Sequence, residues 1–158
     1  VELQGLFEAE DGRGMVPRVR PYHAGDSMAL IISAAGEIRH RTVCHSPVGY
    51  ALEAGLIDED DALRHQDRHL VSNALGLPDM HIEVGPSLAL DPSDSVLLAS
   101  DGLFDNLTLS AIVDHVRQGP LGENLDELVT DCRDRMTSPR PDEPTKPDDL
   151  TLILWRPN

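Results

Sequence analysis

The sequence predicts an α+β fold built from antiparallel strands and helices, and three observations predict it. Residues 1–45 alternate apolar stretches with Gly-containing turns and show no helical period, so they read as consecutive antiparallel strands rather than βαβ units. Helical periodicity follows around residues 48–75 and returns from Thr108. Between these stretches, Val96-Leu97-Leu98-Ala99 has no polar interruption, the pattern of a strand covered on both faces.

Taken in order, Val1–Glu10 is a first strand, Asp11-Gly12-Arg13-Gly14 a turn, and Val16–Tyr22 a second strand. After Gly25-Asp26-Ser27 the apolar run Met28–Ser33 is a third. Ala35-Gly36 turns it into a fourth, Glu37–Val43. Val48, Leu52 and Leu56 lie at helical spacing and predict a helix over Val48–Gly55. Asp58 is placed to cap the next helix, since Glu59-Asp60-Asp61 put acid in its first turn, where the helix dipole favours negative charge. Val71–Leu75 is a short apolar stretch ended by Gly76. Two strands, His81–Leu90 and Ser95–Ser100, are separated by Asp91-Pro92-Ser93-Asp94.

Beyond Thr108, Leu109, Ile112, Val113 and Val116 make one helical stripe, stopped by Gly119-Pro120. Leu125, Leu128, Val129 and Cys132 make another, ending near Met136. Ser138–Pro147 carries four prolines and reads as a loop, and Leu150–Trp155 is a closing strand. No internal repeat is visible, and residues 1–158 read as one domain.

Composition excludes several functions. The 158 residues hold 28 acidic and 13 basic side chains, a net charge of −15, which opposes electrostatic binding of nucleic acid or of an anionic membrane. Hydrophobic residues at 40% are too many for a disordered acidic chain. No apolar run approaches the roughly 20 residues that span a bilayer, and no signal peptide opens the chain. Cys44 and Cys132 are far apart and form no metal-binding spacing, so a reduced, cytoplasmic protein is expected. The chain opens at Val1 directly into strand-like sequence, which reads as a piece of something longer.

Four acidic residues share a position at a predicted strand end, beside glycine or in a turn: Asp26, Asp101, Asp105 and Asp148. Singly, each has an ordinary explanation: a β-bulge for Asp26, an Asp-Gly turn for Asp101, a helix cap for Asp105 and a solvated loop for Asp148. Together they are the oxygen donors that hard divalent cations need, and an acidic protein acting on a phosphate would need such cations against repulsion. His65 and His69, four apart, could share a helix face, but beside Gln66, Asp67 and Arg68 they read as a solvated or capping pair. Cys44-His45 could suggest a nucleophilic thiol, yet no Cys-x5-Arg loop follows.

Three segments in order, Gly25-Asp26-Ser27, Ala99-Ser100-Asp101-Gly102-Leu103-Phe104-Asp105-Asn106 and Asp148-Asp149-Leu150-Thr151, resemble the type 2C (PPM-type) metal-dependent protein serine/threonine phosphatases. His69–Gly76 is similar to that family's intervening segment, and the likeness covers residues 1–158 as the C-terminal portion of the domain. The resemblance implies an antiparallel β-sandwich flanked by helices, in α-β-β-α layers, with its N-terminal part absent from this chain. It implies Mg²⁺ or Mn²⁺ as cofactor, two ions with a third in some members, activating a water that attacks phosphoserine or phosphothreonine of a protein substrate. By the same resemblance Asp101 would hold the bridged ions, Asp148 would complete one site, Asp26 and Asp105 would hold the further ion, and Gly25 and Gly102 would shape that end.

The departures are as specific. The family's N-terminal acidic ligand, its Asp-Gly-x-Gly motif and its phosphate-binding Arg have no counterpart, so no catalytic side chain is assigned. Asp11-Gly12-Arg13-Gly14 stands where the family has a hairpin turn. Met28 stands where Arg is frequent, and Cys44 where Asp is common. The implied function is a protein serine/threonine phosphatase in the intact parent, with this chain inactive or nearly so alone and prone to self-association through open sheet edges. The alternative is a non-catalytic, phosphatase-like regulatory or protein-binding module.

Overall fold

The structure, a computed structural model, describes residues 2–8, 14–138 and 145–157. Its elements in chain order are β1 (Glu2–Glu8), β2 (Met15–Arg20), β3 (Tyr22–His23), β4 (Met28–Ile32), β5 (Ile38–Arg41), α1 (Pro47–Glu53), α2 (Glu59–Arg64), β6 (Glu83–Val84), β7 (Leu88–Ala89), β8 (Ser95–Ala99), α3 (Asp101–Phe104), α4 (Leu109–Val116), α5 (Leu121–Thr137) and β9 (Leu152–Trp155). The turn expected at Asp11–Gly14 lies outside the described residues except for Gly14, as does most of the proline-rich loop before Thr145.

Every described strand pair is antiparallel. One sheet has the order β5-β4-β8-β9, a second β1-β2-β7, and a small third pairs β3 with β6. The four-stranded sheet is the centre because it has apolar side chains on both faces. Along β4, Leu30 and Ile32 point to one face and Ile31 to the other, as the two-residue period of a strand requires. Along β8, Leu97 and Ala99 join the first face and Val96 the second.

The first face is covered by helices. Ile112, Val113 and Val116 of α4 and Leu128 and Cys132 of α5 bury there beside Leu103 and Phe104 of α3. The second face packs against the three-stranded sheet through Val19, Leu88 and Leu90, with Trp155 at the side. The described residues therefore form three consecutive layers, helix, sheet and sheet. Each fully buried leucine contributes about 1.5–3 kcal/mol by leaving water.

Two expected strands are each divided in two, and proline is the cause. Val16–Tyr22 breaks at Pro21 into β2 and β3, and His81–Leu90 breaks at Gly85-Pro86 into β6 and β7. Proline has no N–H for the ladder. The two breaks meet: Gly85 N–H donates to the Pro21 carbonyl at 2.9 Å, and a Cβ on Gly85 would press into the Pro21 ring. The expected turn after β8 is instead the single-turn helix α3. Thr108, not Asp105, caps α4, its hydroxyl accepting from Ala111 N–H, so Asp105 is free for another role. No helix among the described residues is long and apolar enough to cross a membrane.

Candidate metal centre

The centre forms where β8 and β9 end side by side. Ladder pairing reaches Ala99–Leu152, and Ser100 continues it beyond the strands. Ser100 N–H donates to the Thr151 carbonyl, and the Ser100 hydroxyl accepts from Thr151 N–H, both at 3.1 Å. Gly102 makes the next approach possible, because a Cβ there would collide with the Asp149 carbonyl oxygen. That close passage sets Asp148 beside the first turn of α3. Asp101 opens α3 and Asp105 closes it, so one helical turn aims both carboxylates to the same side.

Donor oxygens of Asp101, Asp105 and Asp148 lie within 4.8 Å of one another. Among them sits the ammonium of Lys146. Its Nζ is 3.1 Å from Asp101, 2.6 Å from Asp105 and 3.1 Å from Asp148. Burial lowers the Lys146 pKa, but the hydrogen bonds to Asp105, Asp101 and Asp148 outweigh it and hold the amine above its ordinary value. Burial pushes the Asp105 carboxyl up, against the opposing pull of Lys146. Asp148 is held below the usual carboxylate range, first by the Asp149 N–H and then by Lys146.

Asn106 anchors this arrangement from below. Fully buried, it accepts from Lys146 N–H at 2.7 Å and donates to the carbonyls of Lys146 and Gly102 at 2.8 and 2.9 Å. Arg68 also donates to the Thr145 carbonyl. The backbone that carries Lys146 and Asp148 is thus fixed on two sides.

Asp26 is not in the three-carboxylate group, but it lines the same cleft with Cys44, Asp101 and Asp105. Gly25 before it has a φ of +124°, which side chains rarely adopt. His45 brackets this glycine: its backbone N–H donates to Gly25 O at 3.0 Å, and its Nδ1 accepts from Gly25 N–H at 3.2 Å. Asn73 also donates to that Nδ1, at 2.8 Å, and Asn73 is oriented by its bonds to His81. With two donors facing Nδ1, the proton resides on Nε2, which donates to Glu83 at 3.1 Å. His23, His45 and Glu83 offer ligand atoms within 4.8 Å of one another, but this tautomer leaves His45 no lone pair for a metal there. The cluster is a hydrogen-bond relay under the Gly25-Asp26 turn.

His65 and His69 do not share a helix face. His65 is the C-cap of α2, its Nδ1 accepting from Asp67 N–H, while His69 bonds the Gln66 carbonyl. Cys44 has none of the activation a nucleophilic thiol needs: burial raises its thiol, against a hydrogen bond to Ser46 that lowers it and with Asp26, Asp105 and Asp101 adding to the rise. Sequence reasoning missed Lys146, Asn106 and His45. The signal for Lys146 was available, since it is the only lysine in the chain and lies two residues before Asp148.

Three oxygen donors converging on a point that already stabilises a cation fit a hard divalent ion, which would take further ligands from water or from beyond these residues. No family model matches the chain. It is 33% identical over 112 residues to protein phosphatase PhpP of Streptococcus pneumoniae, covering 68% of this chain and 44% of PhpP. It superposes on the PPM Ser-Thr phosphatase MsPP from Mycobacterium smegmatis, solved with cacodylate, with a TM-score of 0.71, 28% identity and coverage of 97% of this chain and 60% of MsPP. The catalytic domain of the serine/threonine protein phosphatase PstP, solved with two manganese ions, shares the fold at a TM-score of 0.62 and 21% identity, covering 91% of this chain and 60% of that one. The chain spans less than half the length of the curated relative and about 60% of the solved ones.

Proposed function

From a chain related in sequence and fold to the PPM-type protein serine/threonine phosphatases, we propose that the intact protein is a metal-dependent phosphatase acting on phosphoserine or phosphothreonine in proteins. The observation that carries this reading is the convergence of Asp101, Asp105 and Asp148 at the paired ends of β8 and β9. Asp101 and Asp148 would hold a pair of Mg²⁺ or Mn²⁺ ions, and Asp26 with Asp105 a third. Ions held there supply acidity that makes water nucleophilic at neutral pH and positive charge for the phosphoryl group.

This chain's own part is to aim the carboxylates and to fix them through Gly102, Ser100 and Asn106. The remaining ligands and a phosphate-binding cation would come from sequence beyond these 158 residues, so this chain is read as a fragment of that domain. The compartment that fits its chemistry is the cytoplasm. Hydrolysis of a phosphothreonine peptide by the full-length protein with Mn²⁺, with EDTA, and after Asp101→Ala tests the reading. Turnover that survives both chelation and the substitution would refute it.

One observation favours the second reading, a non-catalytic phosphatase-like module. The Lys146 ammonium already stands among the carboxylates that a catalytic ion would need and offsets one of their three charges. Wild-type protein that binds no Mn²⁺ and hydrolyses nothing would establish the module instead.

A further inference from the structure

We propose that Lys146 is a tethered competitor for the divalent ion: its ammonium fills the three-carboxylate centre in the metal-free protein and must swing out when the ion enters. The inference rests on the metal-dependent reading of Asp101, Asp105 and Asp148 and adds a device that this reading does not require. Three observations carry it. The Nζ lies within 3.1 Å of an oxygen from each of the three carboxylates, so it stands at the point toward which all three donors converge. Oxygen ligands close to about 2.0–2.1 Å on Mg²⁺, which leaves no place for an ammonium among the same oxygens.

The backbone of Lys146 is anchored independently of its side chain. Asn106 accepts its N–H at 2.7 Å and donates to its carbonyl at 2.8 Å, and Arg68 holds the Thr145 carbonyl. The four-carbon stem can therefore rotate away without moving Asp148. The side chain retains 25% exposure, so a path to solvent exists. Finally, the three carboxylates without any cation would repel one another at close range, and the amine removes one of their three charges. The ion and the amine then bind the same oxygens exclusively, and each weakens the other by the same factor.

The test uses the full-length protein, Mn²⁺ as the probe, and two readouts. Isothermal titration compares wild type with Lys146→Met, which keeps the stem and deletes the charge, and with Asp101→Asn as control. Separately, acetylation of the Lys146 amine by N-hydroxysuccinimidyl acetate is followed by mass spectrometry of its peptide, with EDTA and with saturating Mn²⁺. The expected result is Mn²⁺ binding about tenfold tighter in Lys146→Met, together with faster acetylation of wild-type Lys146 when Mn²⁺ is present. Equal or weaker binding by Lys146→Met, or acetylation indifferent to Mn²⁺, overturns the proposal. If wild type and Lys146→Met bind equally while Asp101→Asn does not bind, the competitor is refuted and the metal centre stands. If neither wild type nor Lys146→Met binds Mn²⁺, both fall.

Discussion

The carbonyl oxygen of Asp149 occupies the space where a side chain on Gly102 would begin. Both ends of this contact are fixed, Gly102 by α3 and Asp149 by the Ser100 hydroxyl that donates to it at 3.2 Å. Gly102→Ala must therefore push residues 148–150 away from α3. The expected cost is about 1–3 kcal/mol from overpacking, seen as a lower midpoint in urea. Mn²⁺ affinity should fall with it, because Asp148 moves off the point shared with Asp101. Wild-type stability in this variant would contradict the contact.

His45 to Gly25 is the second such constraint. Replacing His45 by Phe keeps the ring and deletes the Nδ1 acceptor, leaving Gly25 N–H and an Asn73 N–H without a partner. A loss of about 1–3 kcal/mol is expected, measured by thermal or urea unfolding. Glu83→Gln should cost less, since the Glu83 side chain is 45% exposed and an amide oxygen still accepts from Nε2. The two substitutions combined should fall short of additive, because they interrupt one chain of bonds.

What the sequence revealed and what it hid have a common physical basis. The stripes Ile112-Val113-Val116 and Leu128-Cys132 and the two-faced strand Val96–Ala99 were legible because burial imposes a period on neighbouring residues. The division of strands at Pro21 and at Gly85-Pro86 was signalled locally and overridden by apolar content. Lys146 was hidden for a different reason. Its partner Asp101 is 45 positions away, and the surrounding prolines pointed only to a loop. Of the four carboxylates, the structure gathers Asp101, Asp105 and Asp148 and leaves Asp26 outside that group, on the lining of the same cleft. Spacing along the chain carries no such distance.

The two cysteines should be nearly inert. Burial raises Cys44 above its ordinary 9.0 despite Ser46, so its alkylation by iodoacetamide at pH 7.5 should run slower than that of a free thiol. Burial pushes Cys132 up to about 11. The sign of the linked stability follows. Below pH 9 folded and unfolded chains both keep this proton; between 9.0 and about 11 the unfolded chain ionises first, so stability declines as pH rises. Urea midpoints measured from pH 8 to 11 check this, and Cys132→Ser should remove much of the decline.

Removing the Lys146 charge should weaken the metal-free protein. In EDTA, Lys146→Met leaves Asp101, Asp105 and Asp148 facing one another without the ammonium that contacts all three, and with only the Arg68 charge acting on Asp105. Because the lysine side chain is a quarter exposed, the loss is discounted to about 1–2 kcal/mol, a shift of a few degrees in Tm. Saturating Mn²⁺ should erase the difference. An unchanged Tm in EDTA would mean that the three contacts contribute nothing measurable.

Asn106 separates hydrogen bonding from charge at the same place. The buried amide makes three bonds, one as acceptor and two as donor. Asn106→Ala leaves the Lys146 N–H and carbonyl without their Asn106 bonds and the Gly102 carbonyl with only the Cys132 thiol as donor, at a cost of about 2–4 kcal/mol. Asn106→Asp is nearly isosteric and keeps the acceptor for Lys146 N–H. It also sets a carboxylate oxygen against the carbonyls of Gly102 and Lys146, where acceptor faces acceptor, in a site with no exposure. The aspartate should therefore be the more damaging variant at neutral pH despite its shape. Lowering the pH should help it: once protonated, the acid can donate to one carbonyl. Stability of Asn106→Asp should then rise relative to Asn106→Ala as the pH falls, and the reverse trend would show that shape rather than hydrogen bonding decides this position.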